Sequence, residues 1–428
     1  MQTLLSQLKA RGCIQDCSNF PELEQLLERE AVSFYCGFDP TGSSLHVGHL
    51  LPLVLMRRMQ QAGHKPIALV GTATGMIGDP SGKSEERVLL SDEQIAENAA
   101  AVEKQIRCFL SADGKNAYLL LRNDEWLRPL SCIEFLRDVG KYFSVNAMLL
   151  KESVRARIES REQGISYTEF SYMLFQAYDY YWLSKNHGCR LQVGGSDQWG
   201  NITAGLELIR RRMPAEHAPA YALTFPLITS ATGAKFGKTE KGAVWLDANR
   251  TSPYQFYQYW LNVADEDAIN YLSLFTEVAE EELASLQKSL TEQPEQRLAQ
   301  KKLAAEVTTL VHGADETSRA LSASKVLFGE RIADIASGTL EEIFSDVPSV
   351  ALTAAELEEG KTLLDLIVLS GLADSNSGAR RLVEGGGVYV NNEKTADARL
   401  KLSLDHFIDR SVLVLRSGKK NYRLVKLS

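Results

Sequence analysis

The sequence predicts an α/β protein: a parallel sheet flanked by helices, then an all-helical domain, then a small α+β domain. Three observations carry this. Residues 31–71 alternate strand, turn, helix and strand. Apolar residues take helical spacing through 252–328. A compact basic module closes the chain. Ala31-Val32-Ser33-Phe34-Tyr35-Cys36 is rich in strand formers, and Asp39-Pro40-Thr41-Gly42-Ser43-Ser44 is a turn cluster. Val47, Leu50, Leu51, Val54 and Leu55 recur at helical spacing, Gly63-His64 stops that helix, and Pro66–Gly71 is the next strand. Such a βαβ unit is Rossmann-like, and its ligands belong at the carboxyl ends of the strands.

Gly71, Gly75, Gly78 and Gly82 make the following stretch a loop over a site. Further strands are expected at Ala117–Leu121 and Arg190–Val193. Largely apolar helices are expected over Cys132–Lys151 and Thr168–Leu183, with more apolar surface than one sheet face can cover, which suits a subunit interface. Ile269, Leu272 and Phe275, and then Leu303, Val307, Leu310 and Val311, keep helical spacing. The expected domains are 1–248, with a helical insertion at about 125–188; a helical domain, 249–328; a linker, 329–360; and a last module, 361–428.

Composition narrows the function classes. The chain has 428 residues and a net charge of −8, which argues against non-specific nucleic-acid binding. The charge is uneven: from Lys361 onward there are 12 Lys/Arg against 7 Asp/Glu, and before it 35 against 48. An acidic body with a basic end suggests one localised polyanion contact, with chance unevenness as the alternative. The 6 cysteines are scattered without metal-ligand pairing, so neither a zinc site nor a disulfide scaffold is expected. No signal peptide or membrane span is read, and the cytoplasm is the expected location.

Two distant strings carry chemistry. His46-Val47-Gly48-His49 lies where a turn enters a helix, so backbone N–H groups face a ligand and Gly48 lets a nucleotide approach. Lys235-Phe236-Gly237-Lys238-Thr239 carries two ammonium groups suited to a pyrophosphate leaving group. Lys83 and Arg87, in the glycine-rich loop, could clamp the same group. Asp197 and Gln198 follow Gly194-Gly195 at a strand end, where a carboxylate suits ribose hydroxyls. Tyr172, Gln176 and Asp179 fall on one side of an apolar helix, as a pocket wall or a buried network. Taken singly, each string also fits a bland use: surface histidines, a solvated basic loop, a helix cap at Asp197.

Together, Tyr35-Cys36-Gly37-Phe38-Asp39-Pro40-Thr41, the His46 string, Gly78-Asp79-Pro80, Gln192–Asn201 and the Lys235 string resemble the class I aminoacyl-tRNA synthetases, and within them the bacterial tyrosyl-tRNA synthetases. Gly237 and Thr239 stand where serines are usual in the class, a form common in the tyrosyl subgroup. The resemblance implies ligation of tyrosine to tRNA in two steps, with ATP as its Mg²⁺ complex for co-substrate and no prosthetic group or protein-held metal. It implies that Tyr35 and Asp179 meet the phenol of tyrosine, and that Asp79, Tyr172 and Gln176 hold its ammonium group. Cys36, Gly37, Asp39, Gly48, His49, Gly195, Asp197 and Gln198 would line the ATP site. Thr41, His46, Lys83, Arg87, Lys235 and Lys238 would handle the phosphates. Leu363–Leu366 and Ser377–Asn392 resemble an RNA-binding motif shared with a small-subunit ribosomal protein. There Arg380, Arg381, Arg416, Lys419, Lys420 and Arg423 would contact phosphates, and the helical domain would hold the anticodon stem. The implied assembly is a homodimer, with its interface in the insertion and no membrane partner. The competing readings are another nucleotidyltransferase, a retired synthetase that only binds RNA, and tryptophanyl specificity.

Overall fold

The computed structural model describes residues 2–428 apart from 82–89, 152–153, 156–157, 159–163, 215–216, 230, 232–235, 240–241, 327–331, 333–334, 346 and 419–420, and describes the backbone alone at 238–239. The chain divides into two compact units. One comprises Met1–Thr251 and Val263–Leu303, the other Ser252–Asn262 and Ala304–Ser428.

The first unit is built on a six-stranded sheet in the order β1-β6-β5-β2-β3-β4. Its strands are β1 (Asp16–Cys17), β2 (Ser33–Phe38), β3 (Lys65–Val70), β4 (Leu119–Arg122), β5 (Cys189–Gly195) and β6 (Tyr221–Phe225). All pair in parallel except β1, which is antiparallel to β6. From β2 the chain builds outward through β3 and β4, then returns to add β5 and β6 on the other side. The order therefore reverses between β2 and β5, where a crevice opens beyond the carboxyl ends of the strands. Helix α1 (Leu50–Gln61) is buried along nearly all its length, from Leu50 to Met59. It therefore reads as an apolar run more than as an amphipathic face. Helix α2 (Asp92–Ile106) opens with a Ser91/Gln94 capping box. The long helix α3 (Tyr167–His187) is capped by Ser166 and ends at Gly188, whose φ of 61° is left-handed.

The fold class and the four expected strands match these elements, while β1 and β6 lie outside the expected strands. The helix expected over Cys132–Lys151 is in fact Cys132–Asp138, a 3-10 turn at Gly140–Tyr142, and Val145–Leu149. Gly140 breaks the run, and Ser144 starts the next piece.

The expected helical domain 249–328 is also divided. Helix α4 (Asp265–Phe275) belongs to the first unit because two arginines fasten its carboxyl end there. Arg58, on α1 and 6 % exposed, donates to the carbonyls of Ser273 and Thr276 and to the Glu277 carboxylate. Arg11 donates to the carbonyls of Ser273, Thr276 and Val278. A helix leaves its last carbonyls without intrahelical donors, and guanidinium groups fit them in number and charge.

The second unit has a five-stranded sheet in the order β11-β10-β12-β13-β9. These strands are β9 (Ser349–Leu352), β10 (Val388–Val390), β11 (Glu393–Thr395), β12 (Val412–Ser417) and β13 (Asn421–Leu427). Side chains alternate along β12. Leu413 and Leu415 join a core with Leu363, Ile367, Ala379 and Val383, while Val412 and Val414 join another with Tyr254, Ala323, Leu340 and Phe344. The expected linker 329–360 thus contains a helix, Ser337–Ile343, and β9, which pairs in parallel with β13. Polar and acidic composition hid a short edge strand.

Arg416 and Arg423, expected to contact phosphates, are engaged within the protein. The Arg416 guanidinium is buried 3.7 Å from the Tyr389 ring centroid, and donates to Asn392 Oδ1 and Gly418 O. Arg423 donates to the carbonyls of Ser370 and Tyr422. A strand at the centre of a two-faced sheet leaves such side chains little access to solvent. Arg380 and Arg381, on helix α5 (Asn376–Glu384), are exposed. Lys419 and Lys420 lie outside the described residues.

Replacing Arg58 by Met should destabilise the first unit by about 1–3 kcal/mol, since it removes charge-assisted bonds to Glu277 and to the Ser273 and Thr276 carbonyls and leaves those carbonyls to Arg11 alone. A lowered urea midpoint in chemical denaturation checks this.

Candidate active site

The end of β2 and the turn after it form one wall of the crevice. Tyr35, Cys36 and Gly37 line it, followed by Asp39 and Thr41. The Asp39 carboxylate accepts from Thr74 Oγ1 at 2.7 Å and from Tyr172 OH at 2.8 Å, which joins the turn to α3. Burial pushes the Cys36 thiol up to about 12. It stays protonated, and a neutral thiol is a surface to pack against and a poor nucleophile.

The histidines at 46 and 49 hold their own turn. Gly48 N donates to His46 Nδ1 at 3.0 Å, and His46 N donates to His49 Nδ1 at 3.2 Å. With both Nδ1 atoms accepting, each neutral ring carries its proton on Nε2, a tautomer assigned from these bonds. The ring centroids are 4.2 Å apart. A Cβ on Gly48 would stand 2.6 Å from His46 Cε1, so only glycine permits this packing. Gly48 and His49 line the crevice, while His46 sits edge-on to Trp245 at 6.1 Å.

The opposite wall comes from α3 and β5. Tyr172, Gln176 and Asp179 share the face expected of them, and all three line the crevice. Asp179 is 2 % exposed. Its Oδ1 accepts from Trp126 Nε1 at 2.7 Å and its Oδ2 from Asn123 Nδ2 at 3.0 Å. Burial raises its pKa to about 8 against the opposing pull of those two donors. Tyr35, beside it, is raised well above the usual phenol value by burial and then by the Asp179 charge. Asp79 accepts from Gln198 Nε2 at 2.7 Å and from Ser81 N at 2.9 Å. Asp197 is pushed up by burial and by Asp79.

Three polar atoms in this crevice find no partner among the described residues: Tyr35 OH, Gln176 Oε1 and Gln192 Oε1, each fully buried. Such atoms are costly unless a ligand completes them.

The second string returns to the first. Val244 N donates to Gly237 O at 2.9 Å, Val47 N donates to Val244 O at 3.0 Å, and His46 bridges Trp245. Gly237 has a φ of 75°, and a Cβ there would meet Val47 Cγ2 at 2.6 Å. Phe236 stacks on Phe275 of α4 with centroids 5.8 Å apart. Lys238 pairs with Ala243 in a two-strand ladder. Lys83, Arg87 and Lys235 fall outside the described residues, as does the side chain of Lys238. Asn123 and Trp126 are not among the expected site residues, and Gln192 is expected only as the first residue of a family string. Asn123 and Trp126 follow a strand in an unremarkable polar stretch, and nothing in their spacing points to Asp179, 53 residues beyond Trp126.

Residues 24–329 match the family model described as tRNA synthetases class I (W and Y), and residues 339–425 match the tyrosine–tRNA ligase SYY-like C-terminal domain. A protein named tyrosine–tRNA ligase from Roseiflexus castenholzii is 52 % identical over 429 residues, covering 100 % of both chains. Another of that name, from Geobacillus stearothermophilus, is 49 % identical over 99 % of each. The chain belongs to the tyrosine–tRNA ligase family. Among solved structures, a truncated mitochondrial tyrosyl-tRNA synthetase from Aspergillus nidulans superposes with a TM-score of 0.69 at 29 % identity, covering 77 % of this chain and 95 % of that one. A tryptophanyl-tRNA synthetase from Plasmodium falciparum, at 13 % identity and TM-score 0.53, shares the fold. Tyrosine–tRNA ligases are thus matched along both units, and the crevice between β2 and β5 lies within the class I match.

The raised carboxyl gives a pH prediction. Asp179 binds a proton in the folded chain between its ordinary value of 3.8 and about 8, where the unfolded chain has released it. Its stabilising contribution is complete below the lower value and is lost as the pH rises through the upper one. Asp179→Asn should remove that slope, so ligand-free thermal midpoints of wild type should fall more steeply across this window than those of the variant.

Proposed function

We propose that the crevice between β2 and β5 activates L-tyrosine with ATP and that the tyrosyl group then passes to tRNA. The family's activity is ligation of tyrosine to tRNA. The observation that carries the assignment to this crevice is the set of uncompensated buried atoms on Tyr35, Gln176 and Gln192, next to the sequestered carboxyl of Asp179.

In this reading the phenol of tyrosine lies between Tyr35 OH and Asp179, and its ammonium group lies among Asp79, Tyr172 and Gln176. Adenosine lies along Cys36, Gly37, Asp39, Gly48, His49, Gly195, Asp197 and Gln198. Thr41 and His46 face the outer phosphates, with Lys83, Arg87, Lys235 and Lys238 for the leaving pyrophosphate. ATP enters as its Mg²⁺ complex, so the ion belongs to the substrate.

The tyrosine carboxylate attacks the α-phosphorus in line, forming tyrosyl-adenylate as pyrophosphate leaves. A terminal ribose hydroxyl of tRNA then attacks the tyrosyl carbonyl and AMP leaves. The attacking carboxylate is already ionised and needs no general base. Orientation and well-placed donors supply the rate. Phenylalanine is rejected because its ring would leave Tyr35 and Asp179 without the hydroxyl they are arranged to meet, an effect for which tyrosyl-tRNA synthetases are themselves the standard illustration.

The RNA contact rests on the exposed Arg380 and Arg381 of α5. The enzyme works as a homodimer through the insertion. Ile133 and Leu150 are each 76 % exposed and Val145 58 %, an apolar surface that a second copy would cover. No helix among the described residues is long and apolar enough to cross a membrane. The cytoplasm, where tRNA is charged, is the proposed location.

Radiolabelled pyrophosphate exchange into ATP, run with each amino acid in turn, tests the activity. Tyrosine should support it and tryptophan should not. Asp179→Ala should abolish saturable tyrosine binding, and Tyr35→Phe should weaken discrimination against phenylalanine by about tenfold. Unchanged tyrosine-dependent exchange in Asp179→Ala would remove that residue from the pocket.

A further inference from the structure

The turn bearing Thr41 and His46 lies outside the named strands, paired at its end by a single antiparallel bridge, His46 with Trp245. Ser44, 6 % exposed, lies within it. Its hydroxyl donates to Leu45 O at 2.7 Å, and accepts from Gln105 Nε2 at 2.9 Å and from Asp247 N at 3.3 Å. One donor and two lone pairs are all the hydroxyl has, and all are used. Gln105 Oε1 in turn accepts from Leu45 N at 2.8 Å. A single side chain of α2 therefore grips both a hydroxyl and a backbone amide of the turn. Two turns earlier on α2, Asn98 Nδ2 donates to Pro40 O at 3.1 Å. The two amides, seven residues apart on one helix face, bracket the turn at both ends.

The segment after the Lys238–Ala243 ladder closes the node from the other side. Leu246 N donates to Leu45 O at 2.9 Å. The Arg250 guanidinium lies 3.4 Å from the Trp245 ring centroid and donates to Ser43 Oγ at 3.3 Å, and Trp245 meets the His46 ring. Three stretches of chain converge at Ser44. One is the turn itself. Another is α2, which starts three residues beyond the segment 82–89 that contains Lys83 and Arg87. The third follows the ladder formed by Lys238 and Ala243. Neither Gln105 nor Ser44 bonds to Tyr35, Gln176 or Asp179.

We propose that Gln105 and Ser44 are positioning residues for the phosphate half of the reaction, acting through the turn to place Thr41 and His46 while leaving the tyrosine pocket untouched. This rests on the reading that the turn meets the triphosphate. A displaced turn costs turnover, because misplacement on the ångström scale is enough to lower the rate of an oriented reaction. It does not weaken capture of tyrosine, whose contacts lie on β2 and α3.

The test is pyrophosphate exchange with the full-length chain, varying ATP and tyrosine separately, in Gln105→Met, Gln105→Glu and Ser44→Ala. Met keeps the shape of Gln105 and loses both bonds, whereas Glu keeps the acceptor for Leu45 N. Gln105→Met and Ser44→Ala should lower kcat by about 10–100-fold, with KM for tyrosine within about twofold of wild type. Gln105→Glu should recover part of the loss. A role confined to stability would lower thermal midpoints and leave kcat of the folded enzyme unchanged, which overturns the proposal. Equal damage to tyrosine KM overturns it too. If Gln105→Met fails to fold, Ser44→Ala and Gln105→Glu decide it by the same criteria. A wild type that shows no tyrosine-dependent exchange defeats the parent reading, while a wild type that exchanges alongside unaffected variants defeats this one alone.

Discussion

Asp179 is a carboxyl group withdrawn almost wholly from water, and the chain directs two buried donors, Asn123 Nδ2 and Trp126 Nε1, onto its two oxygens. An ionised carboxylate at such depth costs several kcal/mol unless it is paired or hydrogen-bonded. Two neutral donors offset this only in part, as the raised pKa of about 8 records. What remains is a site that gains when a third donor arrives. A phenol hydroxyl suits that place, because it is a donor carried on an apolar ring, and Tyr35, Cys36 and Leu69 line the same crevice. The neighbouring Tyr35 OH, buried and without a partner among the described residues, makes the same demand from the other side.

That floor belongs to the rigid part of the fold. Tyr35 is on β2, Gln192 on β5, and Tyr172, Gln176 and Asp179 on α3. The end of the crevice proposed to meet the phosphates is built differently, from a turn, a 3-10 helix and a short ladder held together by side chains. In the proposed reading, strands and a long helix fix the amino acid, while the turn bearing Thr41 and His46 meets the phosphates. The proposed role of the Ser44–Gln105 node is to place that turn.

Much of this was legible in the sequence, and the parts that were not share a cause. The βαβ pattern and the turn before His46 could be read because glycines and prolines mark where backbone must bend. The Tyr172–Gln176–Asp179 stripe could be read because helical periodicity predicts a shared face. Asn123, Trp126 and Gln192 could not, since their roles exist only after distant segments pack. Arg416 misled for the same reason in reverse: a basic residue near a basic end reads as surface, until strand alternation and two tyrosine rings bury it. The strand β9 was hidden because four residues are too few to show an alternation, within a stretch otherwise rich in Gly, Ser, Pro and acidic residues. Arg58 and Arg11 bind helix carbonyls, a use of charge that no linear pattern announces, and so the grouping of α4 with the first unit was not legible.

The most direct measurement is a crystal structure with a non-hydrolysable tyrosyl-adenylate analogue. The phenol oxygen should lie within about 2.6–3.2 Å of both Tyr35 OH and the Asp179 carboxyl, with the phosphate beside Gly48 and His49 and the ribose toward Asp197. An analogue bound outside the crevice, or one whose aromatic ring points to the histidines and whose adenine sits at Asp179, would contradict the account.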